Sequence, residues 1–191
     1  MASLPPLEPL REVGRRLDRC GIPWALGGSA LLHALGLCET VRDWDLTVDV
    51  AQPEARAALA DLRPTLHGNY EIHADHKVVC FGDTVEVICR FAFFTGAGIV
   101  RIPTLVTGAW NGFPIGSPEA WAVAYALMEG EKPGRTEKAS ALLEHIRSRG
   151  DPQRLAAMLD QPLPAALAAR LRAVLGAMPA TGAERGRPRG T

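Results

Sequence analysis

Two periods alternate along the chain. Leu7, Leu10, Val13 and Leu17 recur at helical spacing, and Gly21 is placed to stop that helix. "IPWAL" then reads as a short buried strand running into Gly27-Gly28. Ser29, a good N-cap residue, opens a helix over "ALLHALGL". "DWDLTVDV" switches to a period of two. Trp44, Leu46, Val48 and Val50 alternate with Asp43, Asp45, Thr47 and Asp49, the pattern of a half-buried strand. "PEARAALADLRPTL" predicts a helix started by Pro53 and ended before Pro64. "HKVVCF" and "TVEVICRFAFF", separated by Gly82-Asp83, predict a hairpin. From there to Ile115, short apolar pieces mixed with Gly and Pro predict strand and loop. Ser117-Pro118-Glu119 starts a helix through "EAWAVAYALM". "TEKASALLEHIRSRG", "PQRLAAML" and "LPAALAARLRAVLGAM" continue as helices.

This order predicts an α+β fold, a mixed sheet flanked by helices and followed by a C-terminal helical region. The expected divisions are a sheet-bearing unit over 1–115, helices over 116–178 packed on it, and a Gly/Pro-rich tail over 179–191 without fixed structure. At 191 residues the chain can bury one good core. Lys+Arg and Asp+Glu both number 21, so no basic balance advertises a general nucleic-acid binder, although a local basic patch stays open. Cys20, Cys38, Cys80 and Cys89 form no CxxC pair, and no secretory signal or bilayer-spanning apolar run is evident. Reduced thiols in a cytoplasmic protein, with no membrane partner, are the expectation.

Acids in a strand that is otherwise apolar cost stability unless something pairs with them. Residues two apart on a strand share a face, with about 6.5–7 Å between their Cα atoms. Asp43 and Asp45 can therefore lean on shared cations, and Asp49 lies farther along, placed to cap the strand or meet solvent. Magnesium prefers oxygen ligands and keeps several waters, so two or three carboxylates plus substrate phosphates suffice. Two such ions can clamp the attacking and departing oxygens of an in-line phosphoryl transfer. Gly27-Gly28-Ser29, between strand and helix, lets backbone approach a phosphate at the helix start. Glu86 shares a face with Ile88 and Arg90, opposite the apolar Val85, Val87 and Cys89. If its strand lies beside the aspartate strand, Glu86 completes a triad, as a metal ligand or as base on an incoming hydroxyl.

Blander readings stand beside these. The acids can belong to a solvated edge strand, and Gly27-Gly28 to a tight turn. His67, His73, His76 and Cys80 fit no familiar closed zinc site. Trp24, Trp44, Trp110 and Trp121 read as core or core edge. Leu155, Met158, Leu167, Leu171 and Leu175 read as ordinary packing faces, with a homodimer contact left open.

Gly27-Gly28-Ser29, Asp43-Trp44-Asp45 and Glu86 together resemble the signature of the nucleotidyltransferase superfamily with the DNA polymerase beta-like fold. The string over Ile22–Asp49 is most similar to small stand-alone bacterial members, antibiotic-modifying and abortive-infection types among them. His33, Gly36 and Arg42 also fit it loosely. The resemblance implies a metal-dependent transfer of a nucleoside monophosphate from an NTP to an acceptor hydroxyl on a small molecule or protein, with pyrophosphate released. It implies Asp43, Asp45 and Glu86 as ligands of two Mg2+ ions, with Mn2+ as a substitute. Gly27, Gly28, Ser29 and Arg42 would meet the nucleotide, and Arg135 and Lys138 would approach the triphosphate from the later helices. Three positions depart from the pattern: Trp44 replaces a small aliphatic, Glu86 replaces the commoner Asp, and Ala139-Ser140 stand where an acid often follows the lysine. These departures motivate an alternative, a catalytically degenerate module that binds a nucleotide or docks a partner. A tRNA acceptor is disfavoured by the zero net charge.

Overall fold

The structure, a computed structural model, describes residues 3–69, 75–129 and 134–179. Helix α1 (Leu7–Arg19) precedes strand β1 (Trp24–Leu26), helix α2 (Gly28–Ala34), strand β2 (Trp44–Val48) and helix α3 (Gln52–Ala58). Strands β3 (Thr65–Asn69), β4 (Asp75–Cys80), β5 (Val85–Cys89), β6 (Ala92–Thr95), β7 (Gly98–Arg101), β8 (Gly108–Trp110) and β9 (Phe113–Ile115) follow. Helices α4 (Pro118–Leu127), α5 (Arg135–Arg149), α6 (Pro152–Leu159) and α7 (Ala165–Ala177) close the chain. This is an α+β architecture in which, among the described residues, three α-helices are interspersed with the first strands and four follow the last one.

Seven strands form one mixed sheet in the order β3-β4-β5-β2-β1-β9-β8. The aspartate strand β2 lies inside it, antiparallel to β1 and parallel to β5. Alternation then sorts its side chains. Trp44, Leu46 and Val48 are fully buried, as are Val85 and Val87 on the neighbouring strand, on the face covered by α1 and α3. The Trp44 indole N–H donates to the Pro6 carbonyl at 3.0 Å, so the bulky residue is accommodated by the start of α1. Asp45 and Glu86 point from the other face and remain half-buried.

The expected β4–β5 hairpin forms, with its turn at Phe81–Thr84. The long second run does not continue as one strand, however. Arg90 takes a left-handed backbone (φ 48°), and β6 beyond it pairs with β7 in a separate two-stranded sheet. Strand β3, which pairs with β4, has no counterpart in the sequence pattern, since "TLHGN" offers little apolar alternation. Register puts His67 opposite Lys77, and His76 opposite Gly68 and Cys89, so the two histidines face opposite sides of the sheet. His73 lies outside the described residues, as does the tail from residue 180.

Ser117 caps α4, its Oγ accepting from the Ala120 N–H at 3.2 Å. Glu119, though buried, is satisfied. It accepts from the Ser117 hydroxyl at 2.6 Å and from the Asp151 N–H at 2.8 Å, tying the starts of α4 and α6 together. Leu155, Met158, Leu167 and Leu171 are buried in the chain's own core, so the packing faces of the last helices are occupied within the molecule.

Candidate active site

The strand-to-helix turn meets the aspartate strand directly. The Gly27 N–H donates to the Asp45 carbonyl at 2.8 Å, which carries the β1–β2 pairing into the turn. Gly28 opens α2 at φ +53°, a backbone that L side chains rarely adopt. A Cβ there would lie 1.9 Å from Asp45 Oδ2, so the carboxylate occupies the space a side chain would need. At Gly27 a Cβ would lie 1.9 Å from the indole of Trp121, which seats α4 on the same turn. Both glycines are thus required by close approach. Ser29 is half-buried on the first turn, and its carbonyl accepts from the Cys38 thiol at 3.3 Å.

On the sheet, Asp45 and Glu86 are register partners on adjacent parallel strands. Burial, then the neighbouring Asp43 and Glu86 carboxylates, push the Asp45 carboxyl up to about 7, against the smaller opposing pull of Lys77 and Arg135. This crowding of negative charge is what a divalent cation relieves, so the donor set fits one. Glu86 has a partner the sequence pattern did not reveal: Lys77 Nζ donates to its carboxylate at 2.5 Å from the adjacent strand β4. The signal was available in the hairpin register, which puts Lys77 and Glu86 on one face two residues out of phase. Among the described residues no three His, Cys, Asp or Glu side chains converge on a common metal position. Asp49 stands apart and accepts from the Thr104 N–H at 3.1 Å.

The cations come from α5. Arg135 and Lys138, both half-buried, lie over the ring of Tyr125 in α4, at 5.2 and 5.3 Å from its centroid. Burial and the nearby Arg135 lower the Lys138 ammonium, opposed by Asp45. Arg42, exposed just before β2, acts on the same ammonium. Contacts and electrostatic interactions thus link the Gly27-Gly28-Ser29 turn, Arg42, Asp43, Asp45, Glu86, Arg135 and Lys138, with Lys77, Cys38, Trp121 and Tyr125 among them and Asp49 outside. A separate cavity of about 380 Å³, lined by Gln52, His76, Cys89, Arg90 and Arg101 among others, contains none of the acids.

No family model matches the sequence, and no curated protein matches it. Solved structures do. The antibiotic-resistance factor ANT(2'')-Ia in solution superposes with a TM-score of 0.54 at 18% identity, over 86% of this chain and 92% of that one. Its complex with adenylyl-2''-tobramycin gives 0.54 at 15% identity, over 87% and 94%. A Thermotoga maritima protein assigned as a nucleotidyltransferase gives 0.50 at 20%, over 72% and 89%. The fold is that of the nucleotidyltransferases. Within this fold the glycine turn, the β2 acids and the α5 cations described above form one half-buried cluster, bounded by β1–α2, β2, β5 and α4–α5.

Proposed function

We propose that the protein is a metal-dependent nucleotidyltransferase, moving a nucleoside monophosphate from an NTP to an acceptor hydroxyl. The observation that carries the reading is the Asp45 carboxylate seated against Gly28, with Glu86 as its register partner. Burial disfavours a carboxylate at that position, whereas beside a phosphate-binding turn it can hold a metal ion that the phosphate shares. The likeness to ANT(2'')-Ia, solved in complex with adenylyl-2''-tobramycin, supports a hydroxyl on a small molecule as the acceptor.

Asp43 and Asp45 would hold Mg2+ or Mn2+, which supplies charge neutralisation at the reacting phosphate when bound. Gly27, Gly28 and Ser29 bring backbone close to the triphosphate, and Arg135, Lys138 and Arg42 offset its charge. The acceptor oxygen forms its bond to the α-phosphorus as the bond to the β-phosphate oxygen breaks, and pyrophosphate leaves. Glu86 takes the hydroxyl proton, or joins the metal ligands while that proton passes to solvent. The Lys77–Glu86 ion pair supports a second reading, in which Glu86 is held out of the chemistry and the domain binds nucleotide without turnover.

The test uses each of the four NTPs labelled at the α-phosphate, with Mg2+ or Mn2+, against a panel of polyhydroxyl acceptors including aminoglycosides. Label transferred to an acceptor with matching pyrophosphate release, and lost in Asp45→Asn, supports transferase activity. Nucleotide binding without any label transfer supports the binding module.

A further inference from the structure

Tyr125 is fully buried, and its hydroxyl has no hydrogen-bond partner among the described residues. It lies one helical turn beyond Trp121, the rings 5.7 Å apart, on the face of α4 that abuts the Gly27-Gly28 turn. Arg135 and Lys138 lie over its ring, and the charged groups acting on its hydroxyl include Asp45, Arg135 and Asp43. A residue that only packed here would serve better as Phe, because an unsatisfied buried hydroxyl is costly. The ring by itself suffices to hold two cations. An unpartnered donor surrounded by the groups of a phosphate site points to a ligand that satisfies it.

We propose that Tyr125 binds the polyphosphate of the nucleotide: its ring stations Arg135 and Lys138 beside the acids, and its hydroxyl donates to a phosphate oxygen once those cations close on the ligand. This rests on the nucleotidyltransferase reading and adds to it a polyphosphate contact from α4. Arg135 and Lys138 lie close enough to repel each other there, and both act on Asp45 from beside the ring. Arrival of the phosphates removes the orphan and draws the cations off the ring.

The full-length protein and its Tyr125→Phe and Tyr125→Leu variants are titrated with inorganic tripolyphosphate and with each NTP, in magnesium, alongside melting curves without ligand. Tyr125→Phe is expected to melt no lower than wild type, since the orphan is gone, yet to bind both probes about tenfold more weakly. Tyr125→Leu is expected to bind more weakly still, having lost the ring. Equal affinity of Tyr125→Phe and wild type overturns the proposal while leaving the nucleotidyltransferase reading intact. A Tyr125→Phe variant that melts lower and binds more weakly also overturns it, since the hydroxyl would then be a structural group satisfied by water. Failure of wild type to bind either probe overturns both readings.

Discussion

The two walls of the candidate site are built by different physics. The acid wall lies on β2 and β5, inside a seven-stranded sheet, with Asp45 and Glu86 fixed by backbone register and Asp45 pressed against Gly28. The cation wall lies on α5, where Arg135 and Lys138 reach back on long side chains to the Tyr125 ring. Register holds the first wall whatever the ligand does. The second is held by cation–π contacts worth about 0.5–2 kcal/mol each, weak enough for a phosphate to displace. On the proposed function, the difference divides the roles: acids preorganised for the chemistry, cations free to close on the charge that arrives.

Removing a preorganised acid should have the largest effect. Asp43→Asn or Asp45→Asn is expected to lower turnover by roughly a thousandfold or more while the far-ultraviolet circular dichroism stays native, since electrostatic stabilisation in a buried site is commonly worth that much. Retained activity in Asp45→Asn would remove the acid wall from the mechanism.

Gly28→Ala comes next. The left-handed backbone alone costs about 1–2 kcal/mol, and its Cβ must also displace the Asp45 carboxylate. A chemical denaturation series is expected to show strong destabilisation that is partly recovered in Gly28→Ala/Asp45→Ala, the two sites being coupled through that contact. Additive effects would mean the two residues do not press on each other.

Asp45 also sets a pH dependence. Its folded carboxyl is raised from 3.8 to about 7, so the folded state holds its proton more tightly than the unfolded chain. The resulting stabilisation is present below about pH 4 and lost as pH rises through 7. Metal-free wild type is therefore expected to melt progressively below Asp45→Asn as pH rises between those values. Added Mg2+ should close the gap at pH 8, because the cation binds the ionised carboxylate and offsets the cost of burying its charge. Parallel melting curves across the range would contradict the assignment.

On the cation wall, Arg135→Ala or Lys138→Ala is expected to weaken NTP binding by about tenfold and to flatten its salt dependence, leaving apo stability little changed. Isothermal titration at two salt concentrations reads both. The smallest effect should come from Lys77→Met, which strands Glu86 beside Asp45. A modest drop in the apo melting temperature, shrinking in Mg2+, is the expected pattern.

The same contrast explains what the sequence could and could not tell. Period-two alternation announced the acid wall, because Asp45 and Glu86 each interrupt an apolar run and parallel pairing of those runs places them together. Glycine chemistry announced the turn at Gly28. Strand β3 stayed hidden, since its pairing comes from its neighbour rather than its own pattern. The break at Arg90 stayed hidden too: a left-handed non-glycine residue leaves no compositional mark. Lys77 and Tyr125 matter through partners on other elements: the hairpin register brings Lys77 to Glu86, and tertiary packing brings Tyr125 under the α5 cations. Trp44 was readable as core, whereas its hydrogen bond to Pro6 across 38 residues was not.

The most direct measurement titrates the four NTPs into wild type and into Asp43→Asn/Asp45→Asn, each with and without Mg2+, and follows the melting temperature. A ligand that binds only the folded state must raise it. A magnesium-dependent rise is expected for at least one NTP in wild type and none in the double variant. An equal rise in both proteins, or no rise in wild type with any NTP, would contradict a metal-bound nucleotide at the aspartate strand.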